Sequence, residues 1–307
     1  MSELVKPIVN PTPLEHRQLA PVERLHRSAA GLTASFEFFP PRTPALRAGL
    51  EETIDRLIPL RPTFVSVTYG AGGTTRSETF DTIIALRSRG LNVAAHLTCI
   101  GHTRAEIREL AERYRDAGVN HIVALRGDPP AGEAPTGELA HATDLVSELR
   151  EAGVEHVTVA AFPEGHPETG FDLDVEIENL KRKEAAGATQ AITQFCLEND
   201  VLLRYIDRAR TAGIELEIVP GILPVANVAQ TRSFAAKAGV TIPSWLDELF
   251  EGLDDDPITR DLVAASIAAE QCADLAAHGL SHVHFYTLNR APLTYAVCRT
   301  LGLRVRF

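Results

Sequence analysis

Asn92-Val93-Ala94-Ala95-His96-Leu97-Thr98 is a short, mostly apolar run. A stretch with helical spacing follows over 104–117 and stops at Gly118, and a second apolar run, Asn120-His121-Ile122-Val123-Ala124-Leu125-Arg126, comes next. β-branched and apolar residues without a polar alternation suit a strand covered on both faces. Gly118 suits the left-handed position that ends a helix. The stretch therefore reads as strand, helix, strand, with the two strands parallel.

The pattern extends in both directions at a spacing of roughly 30 residues, typical of βα units. Strands are expected near 34–38, 63–68, 92–98, 120–126, 156–162, 190–195, 214–219 and 282–286, and a helix over 172–187 ends at Gly187. Eight such units without a Pro/Gly/Ser-rich linker favour a closed (β/α)8 TIM barrel over an open doubly wound sheet. Residues 34–307 are expected to form this single α/β domain, preceded by an N-terminal arm over 1–33 with one short helix near Leu14 to Ser28. A longer helical insertion is expected over 244–279. Within it, Asp254-Asp255-Asp256-Pro257 reads as a helix N-terminal cap rather than a metal site, and Trp245 as packing.

The chain of 307 residues is 45% hydrophobic and 23% charged, enough for a full core. A net charge of −11 opposes nonspecific binding to nucleic acid or to an anionic membrane. Cys99, Cys196, Cys272 and Cys298 are widely spaced and form no Cys-x-x-Cys pair. No secretory pattern and no run near ~18 apolar residues is present, so a soluble cytoplasmic protein is expected.

Catalytic groups of such barrels gather at the C-terminal ends of the strands. Polar residues recur there: Glu37, Thr68-Tyr69-Gly70, His96, Arg126-Gly127-Asp128, His166, Gln194 and Asn289-Arg290. Glu37 lies inside Ser35-Phe36-Glu37-Phe38-Phe39-Pro40-Pro41, an aromatic strand stopped by two prolines. Desolvation there raises a carboxyl pKa toward the range of a general acid, and pairing with an Arg or a backbone amide is the alternative. Gly70-Ala71-Gly72-Gly73-Thr74-Thr75 offers amides to a phosphate or makes a turn. Asn179, Lys181, Arg182 and Lys183 form the densest basic cluster, either a phosphate dock or a solvated helix end. No Gly-x-Gly-x-x-Gly opens the fold, which disfavours a Rossmann domain.

Taken in order, Phe36-Glu37-Phe38-Phe39-Pro40-Pro41, Ser66-Val67-Thr68-Tyr69-Gly70-Ala71, His96-Leu97-Thr98-Cys99, Ala124-Leu125-Arg126-Gly127-Asp128, Pro163-Glu164-Gly165-His166-Pro167, Ile192-Thr193-Gln194-Phe195, Pro220-Gly221-Ile222-Leu223-Pro224 and Phe285-Tyr286-Thr287-Leu288-Asn289-Arg290 resemble the methylenetetrahydrofolate reductase family, in its short bacterial form. The resemblance runs from about Ser35 to the C-terminus. It implies a flavin-dependent barrel that reduces 5,10-methylenetetrahydrofolate to 5-methyltetrahydrofolate. The electrons come from NADH or NADPH through FAD by a ping-pong route, within one-carbon metabolism and methionine biosynthesis, and the enzyme is a homo-oligomer, a dimer or tetramer.

By the same resemblance Glu37 is the general acid, and Asp128 is the carboxylate beside flavin and pterin. Thr68 places the nicotinamide. Tyr69, Ala71, His96, Arg126, Gly127, Asp128, Ala142, Phe162, His166, Glu176, Asn179, Arg182 and Lys183 line the FAD. Gln194, Gln230, Phe234 and Arg290 contact the folate together with Asp128. Arg126 is expected to keep Asp128 charged. Phe162 and Glu176 depart from the Tyr and Asp that bacterial relatives can carry, which bears on flavin affinity and keeps flavin-independent reduction of the same folate as an alternative.

Two other chemistries compete. A Schiff-base aldolase needs a lysine at a strand end, and Lys6, Lys181, Lys183 and Lys237 are none of them at one in the sequence pattern. A metal-dependent barrel hydrolase is suggested by His282-Val283-His284, which puts two imidazoles on one strand face; a packed or hydrogen-bonded pair without metal is preferred.

Overall fold

The computed structural model describes residues 25–26, 29–69, 76–128 and 136–303. The expected helix near Leu14 to Ser28 lies outside them except for Leu25 and His26, which are helical, and Ala71 with the rest of the glycine-rich segment lies outside them too.

Strand β1 (Thr33–Phe38) leads into helix α1 (Pro44–Leu57), and β2 (Val65–Val67) into α2 (Arg76–Ser88). The alternation continues through β3 (Val93–Thr98), α3 (Arg104–Asp116), β4 (His121–Leu125), α4 (Ala142–Glu151), β5 (His156–Ala161), α5 (Leu173–Ala185), β6 (Gln190–Thr193) and α6 (Asn199–Thr211). The last part holds β7 (Glu217–Val219), β8 (Gly221–Ile222), α7 (Val228–Ala238), α8 (Ser244–Phe250), α9 (Pro257–Ala277), β9 (His282–Tyr286) and α10 (Ala291–Thr300). All pairings are parallel, in the order β7-β6-β5-β4-β3-β2-β1-β9-β8.

The two ends of that order, β7 and β8, are consecutive in the chain and separated only by Pro220. β7 pairs with β6 and β8 with β9, so the seventh strand bends from one neighbour to the other and closes an eight-stranded barrel. Pro220 has no N–H to give a ladder, yet its carbonyl accepts from His284 N at 2.8 Å. The sequence pattern ended this strand at 219; it continues past the proline because Gly221 allows close approach. A Cβ there would lie 2.1 Å from Thr193 O.

Strand alternation sorts the side chains. In β1, Ala34, Phe36 and Phe38 face outward into the main core beneath the helices, while Ser35 and Glu37 face the barrel axis. Inside the barrel the apolar cluster is small, with Phe64, Ala94, Val123, Ile192 and Val219 fully buried. The other inward positions are largely polar. Asp256 caps α9 by accepting from Thr259 N at 3.0 Å with Pro257 in the first turn, as the sequence indicates. Trp245, on α8, packs against the cluster that holds Leu246, Phe250 and Ala264 and donates to Glu198 Oε1. The four cysteines are buried and unpaired. No helix among the described residues is long and apolar enough to cross a membrane.

Candidate active site

Glu37 sits one residue from the end of β1, pointing into the mouth of the barrel with its side chain only 11% exposed. In register it lies between Ser66 on β2 and Tyr286 on β9. Among the described residues nothing cationic reaches it, and burial pushes its pKa up to about 8. The alternative of a compensating arginine or backbone amide is not realised.

His96, two residues before the end of β3, brings Nε2 to 3.6 Å from Glu37 Oε2. This is not an ion pair. Burial, aided by the neighbouring His121, lowers the imidazole pKa to about 3, so at neutral pH a protonated carboxyl faces a neutral ring. At 3.6 Å the contact is also too long for a hydrogen bond, and His96 Nε2 and Ser66 Oγ are both buried without one. Tyr286, which the sequence reading left unassigned, donates its hydroxyl to Thr193 O at 2.7 Å, and burial and the nearby Glu37 raise its pKa well above the ordinary phenol value. Its signal was its place on β9 level with Glu37. Thr287 Oγ1 donates to Glu37 O at 2.5 Å, and Asn289 clamps the end of β1 through both Phe39 N and Phe39 O at 2.9 Å.

The β4 end differs from expectation. Arg126 grips Glu168 in a two-pronged ion pair at 2.5 Å, while Asp128 Oδ1 stands 3.8 Å away and is 90% exposed. Glu168, not Asp128, is thus the main partner of Arg126, and the pairing lowers the Glu168 pKa. A bidentate fork is the stronger contact, and Glu168 lies in a short 3-10 turn (Pro167–Thr169) after β5, too distant in sequence to suggest it. Gly127 has φ +81°, and a Cβ would meet Thr98 Cβ at 2.8 Å, so only glycine lets the chain turn here.

The basic cluster on α5 divides. Lys181 is exposed, and Arg182 pairs with Glu178 one turn back at 3.1 Å. Lys183 turns inward, donates to Ala160 O at 2.9 Å and stands 5.6 Å from the Phe162 ring. Burial lowers its pKa to about 8. The sequence pattern kept Lys183 away from strand ends; its long stem carries the amine to the end of β5. Glu176 is buried and accepts from Thr169 Oγ1 at 2.6 Å, and Phe162 meets the His166 ring edge-on at 4.7 Å. Thr68 and Tyr69 follow β2, Ala142 opens α4, and Asn179 is half-buried on α5.

On the other side, Gln194 follows β6, and Phe234 on α7 packs over Phe195 and Leu223. Gln230 and Arg290 are exposed at the first turns of α7 and α10. A cavity of about 470 Å³ beside the mouth is lined by Tyr286, Asn289 and Arg290. His282 and His284 point inward and are hydrogen-bonded to Ser35. Among the described residues no His/Cys/Asp/Glu group could hold a metal ion.

A family model for methylenetetrahydrofolate reductase matches residues 23–302. The chain belongs to the methylenetetrahydrofolate reductase family. It is 48% identical over 288 residues to the 5,10-methylenetetrahydrofolate reductase of Pectobacterium carotovorum subsp. carotovorum, covering 92% of this chain and 95% of that one. The enzyme of the same name from Escherichia coli K12 is 48% identical, with coverage of 89% and 92%. Methylenetetrahydrofolate reductase (NADH) 1 of Arabidopsis thaliana is 34% identical, and the match covers 49% of its length. Membership makes the chain an oxidoreductase. A solved structure of an uncharacterized protein from Clostridium thermocellum that binds two copies of 5-methyl-5,6,7,8-tetrahydrofolic acid aligns over 92% of this chain and 99% of its own. Its TM-score of 0.59 at 14% identity speaks for the fold alone.

Proposed function

We propose that the protein reduces 5,10-methylenetetrahydrofolate to 5-methyltetrahydrofolate with NADH or NADPH as donor, through FAD in a ping-pong sequence, and that Glu37 is the general acid. The observation that carries this reading is the buried, unpaired Glu37 carboxyl with its pKa near 8, at the mouth of a barrel whose relatives bear this enzyme's name.

The residues at the β3–β5 side of the mouth fit the flavin. His96 Nε2 is a buried polar atom awaiting a partner, and Arg182 is exposed in a surface pair weak enough to exchange for a phosphate. Lys183 keeps an amine at the rim; Tyr69, Ala71, Arg126, Gly127, Asp128, Ala142, Phe162, His166, Glu176 and Asn179 would complete the flavin set, and Thr68 would place the nicotinamide. Bound flavin supplies a two-electron carrier between nicotinamide and folate.

Opening the five-membered ring of the folate needs a proton on its leaving nitrogen. Glu37 holds one at neutral pH because ionising it inside the barrel is costly. The iminium that results is cationic, and Asp128 at the rim offers it a carboxylate. Gln194 and Gln230 each present a donor and an acceptor, which suits the pterin edge. Phe234 gives a stacking face, and Arg290 suits the folate carboxylates.

Anaerobic stopped-flow on the FAD-loaded protein tests the reading by following flavin absorbance first with NADH, then with methylenetetrahydrofolate. Glu37→Gln is expected to keep the first half-reaction and lose the second by about 10²-fold or more. A variant that reduces the folate at the normal rate removes Glu37 from the acid role.

A further inference from the structure

The helix that carries Gln230 and Phe234 has little packing of its own. Those two residues stand one turn apart on one face of α7, and of its 11 residues only Thr231 and Ala235 are buried. The N-terminal end is fixed by Asn227, whose side chain accepts from Gln230 N at 2.8 Å. The other end is held from the segment after β5, which also contains Phe162 and His166. Helix α7 stops at Gly239, with φ +72°, and the Phe171 ring lies directly on that glycine: a Cβ there would come within 2.3 Å of Phe171 Cε1. Two residues on, Thr241 N donates to Glu164 Oε2 at 2.9 Å.

Phe171 itself has φ +63°, a left-handed conformation that a bulky residue seldom adopts and glycine takes freely. Its side chain is also 49% exposed, so burial in the core does not account for a phenylalanine here. The contact on Gly239 does. The segment that carries it is anchored on both sides. Glu168 receives the Arg126 fork from β4, Thr169 Oγ1 donates to Glu176 Oε1 on α5 at 2.6 Å, and Phe171 N donates to His166 O at 3.0 Å. A Cβ at Gly165 would meet Phe171 Cα at 2.6 Å, so the turn is closed on itself.

We propose that Phe171 and Glu164 are positioning residues: together they fasten the C-terminal end of α7 to the segment after β5 and so set where Gln230 and Phe234 stand relative to the flavin wall. The inference rests on the proposed folate contacts of those two side chains. Neither Phe171 nor Glu164 touches the folate in this reading; each acts through the helix. Gly239 lies roughly 7.5 Å along the helix from Phe234, so a shift at the latch reaches the stacking ring almost undiminished.

Anaerobic reoxidation of the reduced, FAD-loaded protein at increasing methylenetetrahydrofolate gives an apparent Kd for the folate, and FAD release on dilution, read by its fluorescence, gives the affinity for the flavin. Phe171→Gly removes the ring and relaxes the backbone, whereas Glu164→Ala removes the carboxylate and leaves the ring. Each should weaken the folate about tenfold and change FAD affinity by less than about twofold. Glu164→Gln, which keeps an acceptor for Thr241 N, should restore folate binding. A background carrying Gln230→Ala and Phe234→Ala separates positioning from general loss of structure, because α7 then presents neither side chain to the folate. There Phe171→Gly should weaken the folate by less than about twofold. An undiminished loss in that background, or wild-type folate binding in both single variants, overturns the inference. So does a fall in FAD affinity with none in folate affinity. If removing the Gln230 and Phe234 side chains leaves the folate Kd unchanged, α7 does not meet the folate; that part of the functional reading fails, and the latch with it.

Discussion

The mouth and the floor of the barrel are built from the same residue types and treat them oppositely. At the floor, His121 Nε2 is 2.7 Å from Thr158 Oγ1, Thr158 donates to Gln190 Oε1 at 3.1 Å, and Gln190 donates to Glu217 Oε2 at 2.7 Å. His282 meets both Ser35 and Thr63 at 3.0 Å. Every one of these polar groups has a neighbour. At the mouth, His96 Nε2 and Ser66 Oγ have no hydrogen bond, and Glu37 keeps a proton for want of a cation. Buried polar atoms are normally satisfied because leaving one without a partner costs about 1–3 kcal/mol. The mouth bears that cost where a ligand is to be met, and the floor avoids it.

The largest effect that tests this contrast is on stability against pH. Between the ordinary carboxyl value of 4.5 and the folded value of about 8, the native state holds a proton that the unfolded chain releases. Wild-type stability should therefore fall as pH rises through that window. Glu37→Gln has no such slope, so its advantage should grow by up to about 1.4 kcal/mol per pH unit across the window and vanish below it. Denaturant midpoints at several pH values measure this, and parallel curves for the two proteins would break the account.

A smaller pair of changes sharpens the same contrast. Thr158→Val takes the hydroxyl from His121 and Gln190 together and should destabilise by about 1–3 kcal/mol. Ser66→Ala removes a hydroxyl that bonds to nothing and should be neutral or stabilising by up to about 1 kcal/mol. Equal losses from both would mean that mouth and floor do not differ.

Much of this was legible in the chain. The βα spacing gave the barrel, because a parallel strand covered on both faces leaves a plain apolar run, and the helix stops at Gly118 and Gly187 carry positive φ as their positions require. Glu37 stood out because a carboxylate between phenylalanines has nowhere polar to go. What stayed hidden depends on contacts between distant segments. The fork of Arg126 on Glu168 joins the segments that follow β4 and β5, and Tyr286 comes level with Glu37 only once β1 pairs with β9. The inward turn of Lys183 depends on a helix lying against β5, and the bend at Pro220 on two strands competing for one chain. Local pattern cannot contain such facts.

The central claim is that Glu37 is protonated in the folded protein at neutral pH. Infrared or carbon-13 NMR titration of that carboxyl, with Glu37→Gln to assign the signal, measures it directly. A pKa of about 8 is expected, and a value near the ordinary 4.5 would contradict the account.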